Sequence, residues 1–127
     1  MVLDASAVLA FLLAEPGATQ VEDAIDAGAL LSSINLAEIM TRLVRDGIDP
    51  GEAAQILSEL PVTIVACGRS TALAAGALLK ETRALGLSLG DRACLALARE
   101  QARPVLTADQ AWTRLPPGLG ISVKLIR

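Results

Sequence analysis

Five short apolar runs, spaced by stretches of helical character, constrain the fold of this chain more than any other feature. They are MVL (1–3), ALLSSI (29–34), PVTIVA (61–66), a strand within RPVLTAD (103–109), and ISVKLI (121–126). Helix candidates lie between them at about 5–14, 19–28, 36–46, 51–60, 69–85 and from 88–90 to about 101. Residues 36–46 show the helical period clearly, with Leu36, Ile39, Met40 and Leu43 on one side and Arg42 and Arg45 on the other. Apolar strands interleaved with helices imply a mostly parallel sheet covered on both faces. No repeat, low-complexity tract or linker divides the sequence, and 127 residues suit one domain (1–127) that buries its core without disulfides or structural metal. Ligands of such sheets bind beyond the carboxyl ends of the strands, so the residues that follow each run come next.

Asp4 follows MVL and starts a helix. Glu38 sits in the first turn of the helix after ALLSSI, with Asn35 three residues before it in a capping pattern. Asp109 follows the PVLT strand and opens ADQAWTRL, while Asp91 lies at the helix start in SLGDRACLALA, three residues after Ser88. Each acid, taken singly, has an ordinary structural role, because carboxylates satisfy the free N–H groups and the dipole at a helix start. Taken together they are harder to dismiss. Three follow strands directly, so a parallel sheet delivers them to one edge, and a long helix entering that edge brings Asp91. Crowded carboxylates repel and resist desolvation. A divalent cation relieves that cost, and an all-oxygen donor set suits Mg²⁺ or Mn²⁺ rather than zinc. Such an ion polarises a phosphoryl oxygen and activates water, so no histidine base is needed. Ser6, two residues after Asp4, and Thr107, two before Asp109, offer supporting hydroxyls.

Composition narrows the chemistry further. The chain has no histidine, which removes Ser-His-Asp triads, paired-His ribonuclease chemistry and His-ligated zinc together. Aromatic residues make up 2% with no Tyr, so base-stacking platforms are not expected. Cys67 and Cys94 lack CxxC spacing and read as free thiols of a reducing compartment. The run AVLAFLLA (7–14) has no Lys or Arg before it and is too short to span a bilayer, so a cytoplasmic protein without membrane association is expected. Net charge is −3, but residues 1–60 carry −8 and residues 61–127 carry +5. That asymmetry suits a polyanion-facing surface beside an acidic centre.

The series DAS, NLAE, GDRACLALA and TADQAW, in this order and spacing, resembles the PIN-domain ribonucleases, and most closely the VapC-type toxins of bacterial toxin–antitoxin pairs. The resemblance runs over essentially the whole chain. It implies a three-layer α/β/α sandwich around a parallel sheet, Mg²⁺-dependent endoribonuclease activity, and a homodimer held inactive by a cognate antitoxin. Carried over by position, Asp4, Glu38, Asp91 and Asp109 would be the metal-binding and catalytic acids, with Asp4 and Asp91 the most direct ligands and Ser6 and Thr107 in support. On charge alone, RNA would be gripped by Arg69, Arg83, Arg92 and Arg114.

Two other readings compete. A different Mg²⁺-dependent phosphoryl-transfer enzyme on a similar sheet would need features this sequence lacks. A haloacid-dehalogenase-like phosphatase wants a second Asp where Ser6 stands, and a receiver domain wants an Asp after a central strand, which PVTIVACG does not supply. A non-catalytic PIN-like binding or dimerisation module would instead use the apolar helices at 5–14 and 36–46 as a docking groove.

Overall fold

The structure, a computed structural model, describes residues 1–127. Its five strands are β1 (Val2–Leu3), β2 (Leu30–Ser32), β3 (Thr63–Val65), β4 (Val105–Thr107) and β5 (Val123–Leu125). They form one sheet in the order β3-β2-β1-β4-β5, and every pairing is parallel. Helices α1 (Ala5–Leu12) and α2 (Ala18–Asp26) link β1 to β2, and α3 (Ser33–Arg45) and α4 (Pro50–Ser58) link β2 to β3. The return to β4, on the far side of β1, runs through α5 (Arg69–Ala77), α6 (Leu79–Thr82) and α7 (Leu89–Gln101).

Alternation along each strand divides the core into two layers. Leu3, Leu31 and Leu106 point into a cluster with Val8, Val21 and Ile39, whereas Val2, Leu30 and Val105 point into a cluster with Leu78, Leu95 and Trp112. Leu3, Leu31 and Leu95 are fully buried, each contributing roughly 1.5–3 kcal/mol relative to exposure. The expected α/β/α sandwich is therefore present. No helix is long and apolar enough to cross a membrane.

Several local expectations change. PVTIVA, the strongest β signal, forms an edge strand whose Thr63 and Ile64 are exposed, so the cover on the sheet thins there. ALLSSI ends as a strand at Ser32, whose side chain accepts the Ile34 N–H and caps α3. Asn35 is thus inside the helix and caps nothing. The single helix expected over 69–85 breaks into α5, α6 and a 3₁₀ turn at Arg83–Leu85. Arg92 donates to the Ala75 and Gly76 carbonyls at 3.1 and 3.4 Å, drawing the end of α5 towards α7. ADQAWTRL holds only a 3₁₀ helix, Gln110–Arg114, before Pro116 and Pro117.

The order of the strands fixes where a ligand could sit. Connections run outward from β1 through β2 to β3, then return across the sheet to β4. The switch point lies between β1 and β4, and crevices of open α/β sheets form at the carboxyl ends of such a pair.

Candidate active site

Asp4 leaves β1 at that switch point and is 3% exposed. Its Oδ2 accepts hydrogen bonds from Ser6 Oγ at 2.6 Å and from Thr107 Oγ1, at the end of β4, at 2.8 Å. Both hydroxyls are themselves oriented by the backbone, because Ser6 Oγ accepts the Ala108 N–H and Thr107 Oγ1 accepts the Asp109 N–H, each at 3.0 Å. With their lone pairs engaged by N–H donors, their own protons face the carboxylate. Oδ1 has no hydroxyl donor.

This environment pulls Asp4 in two directions. Burial pushes its pKa up to about 6 and the Asp91 charge adds to that, while the Ser6 and Thr107 hydroxyls and the Ala5 N–H oppose it. Burial wins over the donors, so the ionised form is under strain when no cation balances it.

Asp91 arrives on α7. Its capping role is real: Asp91 Oδ2 accepts the Ser88 N–H at 2.9 Å, and Ser88 Oγ accepts the Asp91 N–H at 3.1 Å. One turn further, the buried Cys94 thiol lies 3.6 Å from the Leu3 carbonyl, which docks α7 against β1 one residue before Asp4. Asp91 is thereby close enough for its charge to raise the pKa of both Asp4 and Glu38. A helix cap and a seat beside Asp4 are compatible, because the cap engages only Oδ2.

Glu38 stands on α3 and is half-buried. Its pKa is raised by burial first and by Asp91 next, against a hydrogen bond from Asn35 Nδ2 at 2.7 Å. The Cys94 thiol senses all three acids, since burial and the charges of Asp4, Asp91 and Glu38 push it well above the usual thiol range. It is a packed, inert group rather than a nucleophile. Asp4, Glu38 and Asp91 therefore share one electrostatic neighbourhood.

Asp109 is placed differently. It is exposed, and its Oδ1 accepts the Ala111 N–H at 2.9 Å, capping the 3₁₀ turn that follows. Its link to the cluster is the backbone N–H on Thr107. No three His, Cys, Asp or Glu side chains converge tightly enough to grip one ion by themselves.

Other expectations shift as well. Arg69, Arg83 and Arg114 are exposed, but Arg92 is half-buried and its guanidinium serves the end of α5. It is not a free cation for RNA. Cys67 and Cys94 are both free thiols, Cys67 only partly buried. An open groove of about 610 Å³ lies between α3, α4 and β3, lined by Leu36, Met40, Leu57, Val62 and Ile64 among others and by none of the acids. α3 contributes to it and α1 does not, unlike the groove expected from sequence. The sequence paired Asn35 with Glu38 only as a helix cap and gave Gly90 no role, yet the Asn35 side chain bonds Glu38 directly and Gly90 lies against it.

Solved structures share this architecture. A chain of the DNA-bound VapBC from Salmonella typhimurium matches with a TM-score of 0.76 at 15% identity, over 99% of this chain and 97% of the other. A chain of the promoter-bound VapBC2 from Rickettsia felis gives 0.73 at 16%, over 98% and 96%. VapBC-5 from Mycobacterium tuberculosis gives 0.59 at 22%, over 99% and 96%. No curated protein matches by sequence. The family model described as PIN domain matches residues 1–116, and with most of the chain covered, the chain belongs to the PIN domain family.

Proposed function

We propose that the protein is a metal-dependent endoribonuclease, the VapC-type toxin of a type II toxin–antitoxin pair, acting in the cytoplasm as a homodimer restrained by a cognate antitoxin. The observation that carries this reading is the pair of strained carboxylates Asp4 and Glu38, with the Asp91 charge acting on both, at the switch point of a PIN-family sheet. The likeness of its fold to chains of VapBC complexes supports the toxin and antitoxin part.

The donors fit a hard cation. All are oxygens, and burial leaves the charge of Asp4 and Glu38 uncompensated. Mg²⁺ keeps several waters and takes one or two carboxylates, which suits acids gathered loosely rather than into a cage. Asp4 and Asp91 would hold the ion, with Glu38 beside them and Asp109 on the exposed rim. When bound, the ion supplies Lewis-acid polarisation of the phosphodiester and acidifies water. The chain's own part is to keep Asp4 ionised through Ser6 and Thr107, and to anchor Asp91 through Ser88.

The test is cleavage of total RNA by the purified protein with Mg²⁺ or Mn²⁺, with Asp91→Asn beside it. Asp91→Asn should abolish cleavage while the far-UV CD stays native. Cleavage by Asp91→Asn at the parent rate would remove Asp91 from the site. Absence of saturable Mn²⁺ binding to the parent protein would favour the non-catalytic module instead.

A further inference from the structure

We infer that Asn35 and the bare α-carbon of Gly90 act together as a latch that holds the Glu38 carboxylate over the first turn of α7. The inference rests on the nuclease reading and deepens it by assigning a positioning residue to the site.

Asn35 is completely buried in the first turn of α3. Its amide nitrogen donates to Glu38 Oε1 at 2.7 Å, one turn along the same helix, and to the Gly90 carbonyl at 3.1 Å, on α7. Both amide protons are thus engaged. The orientation of the amide follows from its partners, because turning it over would set its oxygen against a carboxylate and a carbonyl.

Gly90 supplies the other half. A Cβ placed on it would collide with the carboxyl carbon and both oxygens of Glu38. Its backbone is an ordinary part of α7, without the left-handed φ seen at Gly86 or Gly120. Glycine is therefore not needed there for the chain to turn. In a helix it is a liability relative to alanine, and here the missing side chain is what makes room for the acid.

Asn35 carries a cost of its own. Its Oδ1 is buried without a hydrogen-bond partner, which destabilises the fold relative to an apolar side chain of similar size. Two local penalties, an orphaned oxygen and a helical glycine, meet at one carboxylate. What they provide is a fixed place for Glu38 beside Asp91, the residue after Gly90, whose own carboxylate is tied to Ser88. Acids from α3 and α7 then move as one body. Freed from the latch, Glu38 would turn its flexible side chain towards water.

The test uses the full chain with Mn²⁺ alone as the calorimetric probe, RNA cleavage as a second readout, and urea unfolding in EDTA as a third. Asn35→Ala should weaken Mn²⁺ binding about tenfold to a hundredfold, the usual effect of losing a residue that orients a ligand. Gly90→Ala should do the same. Glu38→Asp, a weakening change in the parent, should restore part of the affinity in the Gly90→Ala background, because the shorter acid retreats from the new methyl group. A purely structural role for Gly90 would show no such rescue. In EDTA, the effects of Asn35→Ala and Glu38→Ala on the urea midpoint should be non-additive. Should Gly90→Ala fail to fold, the Asn35 binding data and this cycle still decide. Unchanged Mn²⁺ affinity in Asn35→Ala, or strict additivity in EDTA, would overturn the latch while leaving the nuclease reading intact. A parent protein that neither binds Mn²⁺ nor cuts RNA would overturn the nuclease reading and the positioning role with it, even if coupling in EDTA persisted.

Discussion

Replacing Asp4 with Asn should stabilise the metal-free protein, and by an amount that depends on pH. In the unfolded chain Asp4 titrates at its ordinary value of 3.8, and in the folded protein it titrates at about 6. Between those two values the native state holds a proton that the unfolded state has released, so stability falls as pH rises through the window. A difference of about two pH units corresponds to about 3 kcal/mol of destabilisation, complete above the folded value and absent below 3.8. Asp4→Asn cannot ionise and escapes it. In EDTA at about pH 8 the variant should exceed the parent by up to about 3 kcal/mol, a rise in melting temperature of up to roughly 11 °C for a chain of this size. At about pH 4 the gap should shrink below about 1 kcal/mol. Mn²⁺ should narrow it at pH 8 by stabilising only the parent. Thermal and urea unfolding of both proteins at the two pH values make the measurement. A gap independent of pH, or a variant less stable than the parent at pH 8, would refute the claim that burial strains this carboxylate.

Removing both hydroxyls, Ser6→Ala with Thr107→Ala, should raise the Asp4 pKa further, so Mn²⁺ affinity should drop several-fold at about pH 6.5 and recover by about pH 8; titration calorimetry at both pH values tests this, and a loss equal at the two would count against it. Arg92→Met keeps an apolar stem but loses the donors to the Ala75 and Gly76 carbonyls, and should cost about 1–2 kcal/mol in urea unfolding. An Arg92→Met protein of parental stability that binds RNA poorly would return Arg92 to the RNA surface. A thiol reagent added to the folded protein should modify Cys67 quickly and Cys94 only on unfolding; equal rates in native buffer would contradict the packing of α7 on β1.

Alternation of apolar runs and helices made the layered sheet legible, because each run is long enough to cross a buried sheet and each spacer long enough for a crossover. What periodicity cannot see is competition between neighbours. Ser32 and Ser33 adjoin, and the chain turned helical at the first hydroxyl able to take the Ile34 N–H, which moved Asn35 inside α3. The Ala-rich stretch from Arg69 has no breaker except Gly76, yet a guanidinium from α7 takes the carbonyls at its end. The pairing of Asp4 with Ser6 and Thr107 could be anticipated from acids and hydroxyls set two residues apart at two strand ends. Asp109 shows the limit of that rule, since an acid two residues after a strand can spend one carboxylate oxygen capping the next helical turn. The contact of Asn35 with Gly90, and the role of Gly90 itself, were hidden for a different reason. The two residues lie far apart in the chain, and the signal at Gly90 is an atom that is missing.

The place of β1 in the middle of the sheet bears on the order of assembly. One flank of that strand is covered by β2, but the other waits for β4, and the hydrogen bond from Thr107 to Asp4 closes a loop of more than a hundred residues. A chain emerging from the ribosome cannot complete the crevice until β4, some hundred residues after Asp4, has been translated. Until then Asp4 lacks the Thr107 hydroxyl that it accepts from in the folded chain. The hydroxyl that holds Asp4 is thus delivered by the crossover from β3 to β4, so the crevice closes late in assembly.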